Sequence, residues 1–184
     1  PSRSCLPHPT SPPGSVHLHT SCGLVVGASL RARYWYGPVD LIPPAAPVPF
    51  VLVTRTAVRM CAAATVAYHI FPLGAQASLL SVVGEDEASH RLEALVAQTG
   101  IAPYFGRDAK LNTTVKLRVI GRQQQRLRLD FAHTPENEAL ASQSATFETL
   151  CPRHDAVLFS DYRTGRLPPP VPPVPPPPPA GPGA

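Results

Sequence analysis

Residues 77–100 read ASLLSVVGEDEASHRLEALVAQTG, and this stretch predicts a strand, a loop and a helix in succession. Ala77–Val83 is a short apolar run, typical of a strand that is buried in a parallel sheet. Asp86 follows the run and has a side chain suited to capping a helix over Glu87–Gln98. The predicted apolar face of that helix consists of Leu92, Leu95 and Val96, and Gly100 marks its end.

Similar elements lie on both sides of this unit. Cys22–Ala28 (CGLVVGA) predicts a first buried strand, and Asp155–Ser160 (DAVLFS) predicts a third parallel strand. The Ala-rich segment Cys61–Leu73 predicts a helix, with Gly74 placed as its C′ residue, and Ser142–Leu150 predicts a short one. Alternating strands and helices imply right-handed crossovers and a parallel sheet. Function in such sheets is expected at the carboxyl ends of strands, here Ala28–Arg33, Gly84–Glu87 and Asp161–Gly165.

Residues 113–132 follow a different period. Apolar and polar residues alternate on either side of Gly121–Gln124, which predicts a hairpin with one solvated face. The β-rich piece 47–56 is its expected partner, and its two prolines favour a strand start or an edge. Together the two pieces predict a small antiparallel β lid over a cleft.

The 25 prolines are concentrated towards the two ends. Residues 1–20 are predicted to be a disordered lead-in, residues 21–167 a single partial domain, and residues 168–184 a polyproline II tail. The tail is a candidate ligand for a polyproline-reading domain. The alternative is a stiff appended tail, translated from a shifted frame of a truncated gene.

Composition limits the possible partners. The net charge is +4, but the basic residues form no run, so no nucleic-acid partner is predicted. No apolar run reaches membrane-spanning length. The cysteines have no CxxC spacing and no secretory h-region precedes them, so we expect a reduced, cytoplasmic chain. His17, His19 and Cys22 have the side chains of metal ligands, but a Pro/Ser-rich context favours exposed, disordered residues, and no metal site is predicted.

Four segments carry a family resemblance. They are Arg33–Pro38 (RYWYGP), Ala46–Pro49 (APVP), Lys116–Val119 (KLRV) and Arg128–Phe131 (RLDF). In this order and spacing the chain resembles, over residues 22–167, the amino-terminal half of the kinase domain of bifunctional heptose 7-phosphate kinase/heptose 1-phosphate adenylyltransferases, a ribokinase-like (PfkB-type) family. The resemblance implies an α/β fold: a partial ribokinase-like, Rossmann-like parallel sheet with helices and the β lid.

The resemblance also implies an activity. The complete family uses ATP and Mg²⁺ to transfer the γ-phosphoryl group to O1 of heptose 7-phosphate, a step of ADP-heptose synthesis for the lipopolysaccharide core. The implied remnants of the substrate site are Gly27, Arg33, Asp86, Lys116, Arg118, Arg122, Arg128 and Asp161. For Arg122 and Arg128 the alternative is solvated hairpin charge. For Tyr34–Tyr36 we weigh base stacking against packing within the lid, and packing is the simpler interpretation.

Several functional groups of the family are replaced. Ala28 and Ala32 stand where the family has Asp, and Cys61–Thr65 stands where it has a Gly-Gly pair and an Asn. The family's anion hole, catalytic base and ATP pocket would lie beyond residue 167, so we predict no catalytic residue and no cofactor in this chain. We therefore expect a truncated kinase fragment that is inactive alone, aggregation-prone and weakened in binding sugar phosphate.

Two other functions remain open. One is a non-enzymatic interaction module that uses the β lid, including a lid-mediated homodimer, together with the proline-rich tail. The other is a small-ligand binding protein that uses half of the cleft. The first of these hypotheses uses the lid and the second uses the cleft, and both elements also belong to the kinase hypothesis.

Overall fold

A computed structural model describes residues 21–39, 50–160 and 167. The predictions for the two ends, for Asp161 and for residues 47–49 lie outside these ranges. The elements, in chain order, are β1 Cys22–Gly27, β2 Ser29–Tyr36, β3 Arg55–Ala62, α1 Ala63–Ile70, β4 Gln76–Gly84, α2 Glu87–Ala97, β5 Ala102–Asp108, β6 Val115–Gly121, β7 Gln124–Phe131, α3 Asn137–Leu150 and β8 Ala156–Ser160.

The first sheet is parallel, with strand order β5-β4-β1-β8. This confirms the predicted α/β class. The sheet has one strand more than expected, because the sequence analysis missed β5. Pro103 in β5 argues against a strand in a sheet centre, but β5 lies at the edge, where a missing N–H donor is tolerated.

Both faces of this sheet are covered by helices. Successive residues of β1 point to opposite faces, so Val25 packs on one side while Leu24 and Val26 pack on the other. This explains why the strand sequence is apolar without alternation. The larger core contains residues of α1, α2 and β4, and the smaller one contains Phe147 and Leu150 of α3.

The second sheet, here called the lid sheet, has strand order β3-β2-β6-β7. The hairpin β6–β7 is antiparallel as predicted. The pair β2–β3 is also antiparallel, but β2 and β6 run parallel. The predicted antiparallel lid is therefore a mixed sheet. The reason is topological. β2 follows the carboxyl end of β1, and β6 follows the carboxyl end of β5. Because β1 and β5 are parallel, β2 and β6 enter the lid sheet from the same end of the parallel sheet.

Residues 50–62 also differ from expectation. The strand expected at residues 47–56 is wrong in position over its described part, because residues 50–54 form no strand. Strand β3 spans Arg55–Ala62 instead and pairs with β2 from Ser29–Ala62 to Tyr36–Arg55. The predicted helix start at Cys61 is wrong for the same reason, since strand pairing overrides the weak β propensity of the Ala-rich segment. Gly74 does end this region in the left-handed conformation, with φ 87°. α3 also starts five residues before the predicted Ser142.

Within the described ranges, the longest helices are too short or too polar to cross a membrane.

Candidate functional site

The junction of the two sheets is built around Ala28, which alone separates β1 from β2. Its carbonyl accepts a hydrogen bond from Ala63 N at 3.0 Å, and Ser29 N donates to Ser81 Oγ at 2.9 Å. Gly27 allows close approach at this point, because a Cβ there would collide with the carbonyl of Ser160. The ends of β1 and β8, residue Ser81 of β4 and the start of α1 are thus held together at the place predicted for a site.

Two alanine side chains near the junction cannot hydrogen-bond to a sugar hydroxyl. Ala28 and Ala32, which replace the carboxylates implied by the resemblance, are 2% and 1% exposed. A methyl group can neither donate nor accept a hydrogen bond, so these positions do not bind hydroxyls. Ala62, next to the junction, has φ 58° and ψ −126°, a conformation that favours glycine.

Asp86 is committed to the fold. It is the N-cap of α2, as predicted: Oδ1 accepts from Ser89 N at 2.8 Å and Oδ2 accepts from Thr113 N at 2.8 Å. Partial burial raises the pKa of Asp86, but hydrogen bonds from Ser89 and Thr113 outweigh it and hold the pKa below its ordinary value. Both carboxylate oxygens therefore stabilise α2 and the segment that leads into β6.

A cleft of about 450 Å³ lies between the lid sheet and α2. We call it the arginine cleft, and its lining residues are Arg31, Arg33, Trp35, Thr56, Ala57, Val58, Glu87, Arg91 and Leu95. The side chains at 31, 33 and 35 share one face of β2, because a strand turns alternate residues to the same side. Residues of β3 and α2 complete the walls.

Three arginines surround one carboxylate in the arginine cleft. Arg31 Nη1 donates to both oxygens of Glu87, at 3.2 and 3.1 Å, and Arg91 Nε donates to Oε1 at 3.2 Å. Arg33 Nη2 lies 3.8 Å from Oε2. The hydrogen bond from Arg31 lowers the pKa of Glu87, so this carboxylate is ionised at neutral pH and leaves the group with a net charge of about +2.

The opposite face of the lid sheet is also cationic, and the charges of Arg118 and Arg128 on it are stacked or paired. Arg118 donates to the hydroxyl of Tyr34 at 3.1 Å and lies over that ring. Arg128 pairs with Asp130 at 2.7 Å, and the hydrogen bond lowers the pKa of Asp130. Tyr34 stacks on Tyr36 with ring centroids 6.1 Å apart, so both rings pack within the lid.

The predicted site residues therefore fall into separate groups. Arg33 lies in the arginine cleft, whereas Lys116, Arg118 and Arg128 lie on the other face of the lid sheet, as the β2–β6 and β6–β7 registers require. Arg122 lies in the tight turn between β6 and β7, with φ 50°. Gly27 and Asp86 support the backbone, and Asp161 is outside the described residues.

Sequence reasoning included Arg31 and Glu87 only within the strand-end ranges Ala28–Arg33 and Gly84–Glu87. It considered Trp35 only as an aromatic residue of the lid, and it did not single out Arg91. Two signals were available. Arg31, Arg33 and Trp35 alternate with period two, which would have placed them on one face had Ser29–Tyr36 been identified as a strand. Glu87 and Arg91 have the i, i+4 spacing of a helical ion pair.

Comparison with known proteins identifies similar chains. The model of the family described as pfkB family carbohydrate kinase matches residues 62–173, which is more than half of the chain. The D-beta-D-heptose 7-phosphate kinase of Bordetella bronchiseptica is 47% identical over 144 residues, which cover 78% of this chain and 46% of that protein. The bifunctional protein HldE of Chromohalobacter salexigens is 42% identical over 144 residues, or 30% of its length. The chain thus spans half or less of the length of these relatives.

Solved structures show the same fold. The phosphofructokinase-2 of Escherichia coli, in complex with fructose-6-phosphate, superposes with a TM-score of 0.59 at 15% identity, over 76% of this chain and 45% of that one. A carbohydrate kinase from Agrobacterium tumefaciens gives a TM-score of 0.58 at 12% identity, over 76% and 45%. At this level of identity the likeness concerns the arrangement of the two sheets and not a substrate.

Proposed function

The chain belongs to the pfkB family of carbohydrate kinases, and on that premise we propose that it is the lid-bearing part of a kinase for heptose 7-phosphate. The observation that carries this proposal is the similarity to the Bordetella heptose 7-phosphate kinase along most of the chain. In the complete enzyme the γ-phosphoryl group of ATP would pass to O1 of the sugar. The described residues would contribute the strand ends beside the sugar and the lid sheet that excludes water from it.

Kinases of this family use ATP and Mg²⁺. The carboxylates of Asp86 and Glu87 do not fit a Mg²⁺ site, because Asp86 is bonded to backbone N–H groups and Glu87 to arginines. Mg²⁺ prefers free oxygen ligands together with several waters. The proposed contribution of this part of the chain is therefore confined to holding and covering the sugar phosphate.

We further propose that the 184-residue chain does not turn over by itself. Ala28 and Ala32 cannot form the charge-assisted hydrogen bonds that carboxylates make to hydroxyls, each worth about 1.5–3 kcal/mol. Two such losses would lower kcat/KM by several powers of ten.

An ATP-consumption assay of the purified chain with heptose 7-phosphate tests this proposal. We expect no turnover above background, with the Bordetella relative as the positive control. Turnover would contradict the inactivity. Calorimetry with heptose 7-phosphate tests the substrate class separately, since an absence of binding heat would argue against any sugar-phosphate role.

A second candidate role is self-association through the lid. On the face of the lid sheet that carries Trp35, strand β7 exposes three apolar side chains outside the arginine cleft: Leu127 is 49% exposed, Leu129 40% and Phe131 53%. Clustered apolar side chains of this kind favour a protein interface. A homodimer paired through this face would cover them.

A further inference from the structure

We propose that the arginine cleft binds a phosphate monoester that carries an apolar or ring-shaped group. This proposal does not depend on the chain being a kinase, because binding can be measured without turnover. The charge of the cleft favours an anionic ligand. Three guanidinium groups and one carboxylate line a single cleft, so positive charge exceeds negative charge where a ligand would sit.

Arg31 is a buried cation whose charge is only partly compensated. Its side chain is only 3% exposed, and both of its bonds to Glu87 come from Nη1. Its Nε is buried and has no hydrogen-bond partner among the residues that the structure describes. A buried cation with unused donors is costly unless an anion compensates it. Glu87 is a weak compensator, since its own side chain is 63% exposed.

Two of the three arginines are accessible from solvent. Arg33 is 41% exposed and Arg91 is 73% exposed, so their guanidinium groups can reach a ligand that enters from solvent. A guanidinium matches two phosphate oxygens at once, and convergent arginines are a recurring means of phosphate recognition. Lysine, which binds as a point charge, is not among the lining residues.

The remaining walls define the rest of the ligand. Trp35, Val58 and Leu95 contribute apolar surface beside the arginines. The cleft volume of about 450 Å³ lies within the range of about 300–1,000 Å³ that is usual for small-molecule sites. The cleft is thus large enough for a phosphate together with a ring that packs against the indole.

Trp35 is the only tryptophan of the chain, so its fluorescence reports on this cleft alone. The experiment is a fluorescence titration with phenyl phosphate and with inorganic phosphate at constant ionic strength. We expect both to change the emission, with phenyl phosphate binding more tightly because of the apolar walls. Arg33→Ala and Arg91→Ala should each weaken binding about fivefold or more.

Two further variants separate binding from structure. Arg153→Ala removes the same charge from an exposed position outside the cleft, and we expect unchanged affinity. Glu87→Gln removes the carboxylate that competes for the arginines, and we expect tighter phosphate binding even if the variant is less stable. A purely structural ion pair would lower stability and leave affinity unchanged.

The source of the phosphate is distinguished by a third titration, with heptose 7-phosphate. Tighter binding than phenyl phosphate, with the same dependence on Arg33 and Arg91, would assign the cleft to the sugar substrate, and weaker binding would assign it to a separate ligand. The proposal is overturned if emission does not respond to any of the three up to about 10 mM. It is also overturned if Arg153→Ala weakens binding as much as the cleft variants do.

Discussion

Ala62 holds a backbone conformation that residues with a side chain rarely adopt, with φ 58° and ψ −126°. It is the last residue of β3 and directly precedes α1, so the neighbouring elements fix its geometry. Such a conformation costs on the order of 1–3 kcal/mol for a residue with a Cβ. The cost is tolerated because Ala62 lies between two well-packed elements.

We predict that Ala62→Gly stabilises the chain by about 1 kcal/mol, since relief of strain exceeds the extra entropy of glycine in the unfolded state. Urea unfolding provides the measurement. Ala57→Gly is the matched control, because Ala57 lies in the same strand without a positive φ, and it should destabilise by about 0.5–1 kcal/mol. Equal effects of the two substitutions would show that Ala62 is not strained.

Asp86 is the second position where a single side chain determines local structure. We predict that Asp86→Ala costs about 2 kcal/mol, because it removes the cap of α2 and the bond to Thr113 N. The folded pKa of Asp86 is below its ordinary value of 3.8. Its contribution is therefore complete above that value and is lost as the pH falls through the lower folded value.

The measurement for Asp86 is the difference in unfolding free energy between wild type and Asp86→Ala at several pH values. The difference should be constant near neutral pH and should shrink below about pH 4. A difference that grows on acidification would contradict the assignment. Ser144→Ala, in the middle of α3, is a control without a capping role.

At the scale of elements, sequence patterns predicted best where one period dominated. Ala77–Val83, the helix from Glu87 and the hairpin β6–β7 were found because each element satisfies its own pattern. β2 and β3 were not, because Arg31 and Arg33 in β2 and the alanines at the end of β3 contradict local propensity. Pairing between the two strands decides their structure, and that pairing is visible only in three dimensions.

The turn between β6 and β7 shows a similar conflict. Arg122 and Gln123 both have positive φ, 50° and 63°, as in a two-residue type I′ turn, which favours Asn-Gly. We predict that Gln123→Gly stabilises the chain by about 0.5–1 kcal/mol and slows amide exchange in both strands. Gln124→Gly, one residue further on within β7, should do the opposite. Faster exchange in Gln123→Gly would contradict the turn assignment.

At the scale of the molecule, the resemblance predicted the two-sheet architecture but not which groups meet. The sequence alone suggested that the candidate residues belong to one substrate site. Strand alternation instead turns Arg33 to one face of the lid sheet and Arg118 to the other. The arginine cleft depends on contacts between β2 and α2. Arg31 and Glu87, which form one of these contacts, are 56 residues apart in the sequence, and no local pattern contains such a pair.

The apolar lid face supports a prediction about assembly. We expect the chain to sediment as a dimer or larger species, and Leu127→Lys combined with Leu129→Lys to return it to a monomer, because these side chains are 49% and 40% exposed. Leu73→Lys is the control, since Leu73 is 58% exposed but lies outside the lid sheet. A wild-type chain that is already monomeric would contradict the proposed interface.

The connections between the sheets restrict how the lid sheet can move. One residue, Ala28, joins β1 to β2, no residue separates β3 from α1, and the hydrogen bond from Ala63 N to Ala28 O ties the two crossings together. Because these two crossings are hydrogen-bonded to each other, we expect the lid sheet to rotate about both of them together. A ligand that tilts the lid sheet would then also displace the first turn of α1, and α1 packs in the larger core.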